Sequence, residues 1–407
     1  MVAYHFPPLA GSSGIQRTLR FVQQLPSFGW QPLVLTADPR AYERKSADLL
    51  FDIPAGTVIE RAFALDTARH LAIGKRYVAA MARPDRWVSW KFDAVRIGMC
   101  MIRRHRPAAI WSTYPIATAH LIGAELQRRS GLPWLADFRD PMAQQGYPAD
   151  PQVWQSFKAI EQRAADQSAC MLFTTPSAAR SYRERYPSAA SRIVQLENGF
   201  DEDSFAAVEA AGVDPQPLNP GALTVLHSGI VYPSERDPAP FMAALGRMSR
   251  EGRLPPQGVR FRFRAAVHDD LLQRLAAQHG VQHLVQTRPP LPYRQALAEM
   301  LRADALLVMQ ADNCNEQVPA KVYEYLRARR PILCLADPQG DTAVVMRDAG
   351  VEAIAKLESA DDIASLVPGF LHDVGQGSAR LPPAEAVQRA SRLQRSAALA
   401  GLLQAAT

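Results

Sequence analysis

Short apolar runs alternate with stretches of helical periodicity, and the alternation occurs twice, on either side of a segment rich in proline, alanine and glycine. Runs of strand length that each lead into an amphipathic helix are the signature of βαβ units, which build parallel sheets covered by helices on both faces. In the first series Ile15, Leu19, Val22 and Leu25 line one helical face, Pro26 stops the helix, and strands are expected at residues 33–35, 108–111, 134–136, 171–174 and 193–196. Residues 1–4 form a very short first strand, and its brevity leads to the expectation that a few residues precede Met1 in the native protein. The second series has strands at residues 224–226, 261–265, 305–308 and 332–335.

At 407 residues the chain exceeds what one core serves, so two domains are expected. Residues 206–221 lack apolar periodicity and contain Pro215, Pro217 and Pro220, which marks them as a linker. The expected division is 1–205, the linker 206–221, 222–375, and a helical segment 376–407. The fold class is α/β, with two facing Rossmann-like domains and an alanine-rich C-terminal helix expected to cross back to the first domain. Residues 259–264 read Val-Arg-Phe-Arg-Phe-Arg, an alternation expected of a half-exposed strand near a sheet edge, because a strand buried on both faces is continuously apolar.

Charge and composition narrow the function. The 47% apolar and 21% charged content is that of a globular protein. The net charge of +6 and pI near 9.2 are compatible with nucleic acid, anionic lipid or an anionic substrate. The aromatics are not interleaved with the basic residues as stacking platforms, and no RRM, KH or zinc-finger pattern occurs, so nucleic acid is not expected as a partner. The basic residues between Arg69 and Arg106 leave an anionic membrane surface open as a partner. The start carries no basic n-region and no apolar run reaches spanning length. Cys100, Cys170, Cys314 and Cys334 are scattered without metal or disulfide spacing. A cytoplasmic location follows as the expectation, including one on the inner face of the membrane. His5, His120 and His227 have no nucleophile or ligand at recognisable spacing and read as structural.

Two carboxylates, Glu316 and Glu324, straddle Pro319 at the start of a predicted helix. Proline suits a first helical position, which leaves Glu316 on the preceding loop and Glu324 inside the helix. A helix N-terminus attracts anions and an ionised carboxylate accepts hydrogen bonds from hydroxyls, a combination suited to a nucleotide-diphosphate sugar. On spacing alone, an amphipathic helix with solvated acids is the favoured explanation of the pair, because two glutamates eight apart are common. Arg329-Arg330-Pro331 and a short apolar strand follow.

Residues 315–341 resemble the donor-binding segment of retaining GT-B glycosyltransferases of family 4, in which a Glu-x7-Glu pair, a helix and a small-residue strand recur. The resemblance implies that Glu324 holds the ribose and Glu316 the hexose. Gln317-Val318-Pro319 stand where the family usually has a glycine near the first glutamate.

Four other segments extend the resemblance in order along most of the chain. The loop Pro7-Pro8-Leu9-Ala10-Gly11-Ser12-Ser13-Gly14 is similar to a family loop lining the cleft, which makes Gly11 and Gly14 donor-binding candidates; a tight strand-to-helix turn is the alternative. Ala136-Asp137-Phe138-Arg139-Asp140-Pro141 closes a strand, where ligands gather in open α/β sheets. Asp137 and Asp140 are candidates for taking the acceptor proton, with Arg139 on the acceptor side. Equally, Asp140 caps the next helix and an Asp–Arg pair holds the loop. Asn198-Gly199-Phe200-Asp201 is similar to the element ending the family's first domain, and Asp201-Glu202-Asp203 reads as a local cap without a metal.

In the fifth segment, from His227 to Pro238, Arg236 occupies the family's phosphate-neutralising place. Ile230 stands where members often carry a further arginine, and Lys321 substitutes for it; a surface arginine is the alternative for Arg236.

The resemblance implies a metal-independent enzyme with no cofactor besides a UDP- or GDP-sugar donor. It moves a hexose, with retention, to a glycan or polyprenyl-linked acceptor in surface-polysaccharide synthesis. Its catalytic residues are Asp137, Asp140 and Glu316. Two further readings stay open: a nucleotide-sugar 2-epimerase, which also uses two Rossmann-like domains, and a nucleotide-binding paralogue without turnover.

Overall fold

The computed structural model describes residues 1–407 except Ser13 and Lys75. The chain divides into two compact units, one of residues 1–198 together with 392–407 and one of residues 199–391.

In the first unit β1 (Leu33–Ala37) pairs in parallel with β2 (Val58–Ala62). The strands β3 (Ile110–Thr113), β4 (Trp134–Arg139), β5 (Cys170–Phe173) and β6 (Ile193–Gln195) follow in that order, all parallel. Val2 joins the two sets, bridging Leu35 of β1 and Ser112 of β3. Its amide donates to the Trp111 carbonyl at 2.7 Å, and the Thr113 amide donates to the Val2 carbonyl at 3.2 Å. A segment too short to count as a strand therefore holds the centre of the sheet, which is why Val2, Ala3 and Tyr4 are buried. The chain order reverses between this segment and β3, and loops at such a switch point form the usual ligand crevice. The expected first helix spans Gly14–Gln24 and buries Ile15, Leu19 and Val22.

In the second unit six parallel strands lie in the order β12, β11, β10, β7, β8, β9. They span Leu223–Ser228 (β7), Val259–Arg264 (β8), Val285–Arg288 (β9), Ala305–Gln310 (β10), Ile332–Ala336 (β11) and Ile354–Ala355 (β12). Here the switch point falls between β7 and β10.

Three expectations are corrected. β8 lies near the sheet edge as expected, beside the edge strand β9, but it is not half-exposed: Arg262 and Arg264 are 7% and 8% exposed. The helix Tyr293–Arg302 covers that face and places Glu299 against both arginines, at 3.0 Å from Arg262 Nη1 and 2.6 Å from Arg264 Nη2. The polar alternation is paired inside the protein. Burial alone would raise the Glu299 pKa, but the hydrogen bonds from Arg264 and Arg262 hold it below the usual carboxylate range.

Part of the expected linker is a helix, Glu202–Ala210, whose N-cap Asp201 accepts from the Ser204 amide at 3.1 Å; its Phe205 and Val208 pack into a core of the second unit. The end of the chain is two helices rather than one. Ala384–Arg389 stays with the second unit, and Arg392–Ala406 returns to the first, where Leu399 and Leu403 join a core containing Phe21, Leu25 and Trp111.

Candidate functional site

At the switch point of the second unit, β7 delivers His227, Ser228 and Gly229 to its carboxyl end. His227 is fully buried and its Nδ1 lies 2.9 Å from the Leu307 carbonyl. A carbonyl only accepts, so Nδ1 carries the proton and Nε2 is an acceptor. The Lys321 ammonium donates to that nitrogen at 3.1 Å. Gly229 has φ +123, and a Cβ there would stand 2.9 Å from Lys321 Nζ, so only glycine lets the amine occupy this place. The Arg236 guanidinium stacks over the Tyr232 ring at 5.2 Å and donates through Nη1 to the Ile230 carbonyl at 2.8 Å. Its Nε is buried with no hydrogen-bond partner.

Lys321 and Arg236 thus crowd one pocket of charge. Burial first, and then the field of Arg236, lower the Lys321 pKa well below its usual value, against the opposing pull of Glu324. Burial likewise lowers Arg236, and burial and the Lys321 charge keep His227 neutral. Two adjacent cations with depressed affinity for their protons form a site suited to an anion.

The helix opening at Lys321 runs Lys321–Ala328. Pro319 therefore lies ahead of the N-cap Ala320 and not at the first helical position, because the turn from Pro319 closes through the Val322 amide at 3.0 Å. Glu324, half-buried in the first turn, accepts from the Tyr293 hydroxyl at 2.9 Å. Glu316 is exposed on the preceding loop. That loop is pinned on both sides: Asn315 Nδ2 donates to Asp337 at 2.6 Å, and Thr342 Oγ1 donates to the Gln317 carbonyl at 2.9 Å.

At the switch point of the first unit, Gly11 takes φ +80 and the loop ends on Gly14, the first residue of its helix; Ser13 of that loop lies outside the described residues. His5 Nδ1 and Ser12 Oγ are 2.9 Å apart. A Cβ on Gly14 would sit 2.6 Å from His5 Nδ1 and 2.7 Å from Arg139 Nη1, so glycine is what allows these two side chains to close over the helix start. Burial, then Arg139, push the His5 pKa down to about 4. Arg139 has φ +63, a strained conformation for a non-glycine residue. Its Nη1 donates to the Tyr114 carbonyl at 3.3 Å and its Nε is buried without a partner.

The two aspartates differ. Asp137 is fully buried, and Arg17 donates to it bidentately at 2.8 and 3.0 Å while Thr113 Oγ1 donates at 3.1 Å. Arg17 also donates to the carbonyls of Leu196 and Glu197, tying the first helix to the end of β6. Asp140 is half-buried and accepts from Thr174 Oγ1 at 3.2 Å. It caps no helix: the next one, Pro151–Gln167, is capped by Asp150.

The structure therefore brings Lys321, Arg236 and Glu324 together in one unit, and Gly14 and Arg139 in the other. His5, His227, Tyr293 and Arg17 are the additions to these clusters. The two histidines stand at strand ends, which was the signal available for them; Tyr293 and Arg17 are distant in sequence from what they touch. Among the described residues no three His, Cys, Asp or Glu side chains are grouped to hold a metal ion, and no helix is long and apolar enough to cross a membrane.

Residues 13–199 match the model of the glycosyl transferase 4-like domain. No curated protein matches the sequence. Among solved structures, HepE of Anabaena in complex with UDP-glucose is similar at 12% identity and a TM-score of 0.64, over 99% of both chains. Sucrose-phosphate synthase from Thermosynechococcus elongatus is similar at 14% and 0.67, over 99% of this chain and 98% of that one. The lipopolysaccharide outer core galactosyltransferase WaaB, in its apo form, is similar at 10% and 0.62, with the same coverage. With two parallel, doubly wound α/β units matched end to end by these structures, the chain has the fold of the GT-B glycosyltransferases, and its residues 13–199 carry a glycosyl transferase 4-like domain.

Proposed function

We propose that the protein transfers a hexose from a UDP- or GDP-sugar to a glycan or polyprenyl-linked acceptor, with retention and without a metal, in surface-polysaccharide synthesis. The observation that carries this reading is the pair of adjacent cations, Lys321 and Arg236, beside a glycine that leaves no space for a side chain. Their charge, fixed before the donor arrives, stabilises the negative charge that grows on the departing diphosphate. His227 keeps the Lys321 amine aimed into the site. Glu324, already oriented by Tyr293, accepts from the ribose hydroxyls, and Glu316 on its pinned loop accepts from the hexose.

Donor binding is thus assigned to the second unit and acceptor recognition to the first. There Asp140 and Arg139 orient the acceptor hydroxyl, while Gly11 and Gly14 let the backbone approach the sugar. Asp137 is reassigned: a carboxylate already filled by three donors and sealed from solvent positions Arg17 and the first helix, and takes no proton.

The test is incubation with UDP- and GDP-hexoses and an oligosaccharide or polyprenyl acceptor, followed by NMR of the product's anomeric proton. Transfer with the donor's configuration is expected. Conversion of the donor to its 2-epimer without an acceptor, or binding without any turnover, would overturn the proposal.

A further inference from the structure

Large apolar side chains that stand in solvent are concentrated in one part of the first unit. Leu50, Phe51, Phe63, Ile73, Tyr77, Val78, Met81 and Phe92 are all exposed, and four of these, Ile73, Tyr77, Val78 and Met81, lie within nine consecutive residues. Scattered single exposures need no explanation, but a local concentration does.

The four belong to one excursion of the chain. Thr67, 1% exposed, receives both ends of it: its amide and its hydroxyl each donate to the Arg86 carbonyl at 2.9 Å, and the hydroxyl lies 2.9 Å from the Met81 carbonyl as well. The chain between Thr67 and Arg86 thus closes on one point, its foot. Near its far end Ile73 and Arg76 pair in a tight antiparallel bridge. From Arg76 to Met81 every residue is exposed, with Ile73 at 88% and Val78 at 63%.

The charge on this loop has one sign. Between Asp66 and Asp85 the sequence holds Arg69, Lys75, Arg76 and Arg83 and no acid. Asp66 at the foot is fully buried and lies 3.4 Å from Arg86. Arg69 and Arg76 are exposed. Exposed apolar and tyrosine side chains on one loop, flanked by arginines without acids, match the two layers of an anionic bilayer surface: acyl chains take the former and phosphates pair with the latter. A protein partner would instead require a broad packed face, whereas these exposed side chains belong to one loop whose ends meet at its foot.

We propose that residues 68–85 form a membrane-docking loop that seats the first unit on an anionic lipid surface, with Ile73, Tyr77, Val78 and Met81 inserted and Arg69 and Arg76 at the phosphates. The proposal is independent of glycosyl transfer. The test is sedimentation of the whole protein with phosphatidylcholine vesicles, with and without phosphatidylglycerol. The wild type is expected to bind the anionic vesicles and to be released by salt. Removing the charge of either arginine, in Arg69→Gln or Arg76→Gln, weakens binding about fivefold, the equivalent of about 1 kcal/mol per basic residue at such a surface.

The variant Ile73→Asp/Val78→Asp is expected to lose binding at least about tenfold with an unchanged melting temperature. Val267→Asp, at an exposed apolar residue of the second unit, keeps it. No binding by the wild type, equal binding to neutral and anionic vesicles, or full binding by the doubly substituted protein would each overturn the proposal. So would loss of self-association by that variant in the absence of lipid, which would assign the loop to a second copy of the chain.

Discussion

Under the proposed function, Lys321 is a residue that destabilises the protein until its ligand arrives. Held beside Arg236 and away from water, its amine binds a proton less tightly folded than unfolded, so between the lowered and the ordinary pKa the unfolded chain holds more protons and stability rises with pH. An anionic ligand has the reverse preference and binds best where the amine is charged, so the donor KM is expected to climb as pH rises through the lowered titration. Lys321→Met should raise the melting temperature of the unliganded protein while increasing the donor KM at least about tenfold, the loss of one charge-assisted hydrogen bond. Differential scanning fluorimetry and initial rates measured side by side test both halves. Tyr293→Phe is expected to raise the donor KM by a smaller factor and leave kcat unchanged, because it frees Glu324 to turn without removing its charge; an altered kcat would contradict this. Glu324 and Lys321 were legible in the sequence because they share one helix start. The His227–Lys321 bond was not, since its partners are 94 positions apart and meet only when β7 and the helix after β10 are neighbours.

At the scale of elements, the strands were legible wherever both faces are covered by helices, because such strands have no polar face to confuse the reading: β10 and β11 are buried at every position. β8 was misread for a physical reason. Arginines two apart imply a wet face unless a carboxylate from elsewhere reaches them, and Glu299 does so from a helix 35 positions further on. Removing that acid alone strands two buried cations, so Glu299→Leu is expected to destabilise the second unit by about 3–5 kcal/mol in urea unfolding. Replacing Arg262, Arg264 and Glu299 together by apolar residues of similar volume should restore most of that stability, and failure to do so would mean that the charges themselves hold the strand in place. Arg262 gives this second outcome a route, because it also donates to the Leu218 carbonyl at 3.0 Å and so fixes the segment ahead of β7.

For the whole molecule, acid should weaken both units, since burial holds His227 neutral in the second as it does His5 and His120 in the first. Burial lowers His120 to about 3, and burial with Arg139 lowers His5 to about 4, both from 6.5. Each binds its proton more readily in the unfolded chain, so stability is expected to fall as pH drops from about 6.5 toward 4. Calorimetry should show the first unit's transition moving down over that interval, and His120→Gln should flatten the dependence. Deleting the residues after Ser391 should lower the same transition, since Leu399 and Leu403 complete the core around Phe21 and Trp111, and leave the second unit's transition where it was.

That closing helix also sets a timetable for synthesis. A chain emerging from the ribosome exposes the first 198 residues early, yet the piece that seals their core is made only after the whole of the second unit. The usual rule that the leading domain matures while the trailing one is still being translated is therefore reversed here. The trailing unit has every residue it needs before the leading one does. Until the helix Arg392–Ala406 arrives, Phe21, Leu25 and Trp111 are an open apolar seam, the place where a nascent-chain chaperone would be expected to hold on.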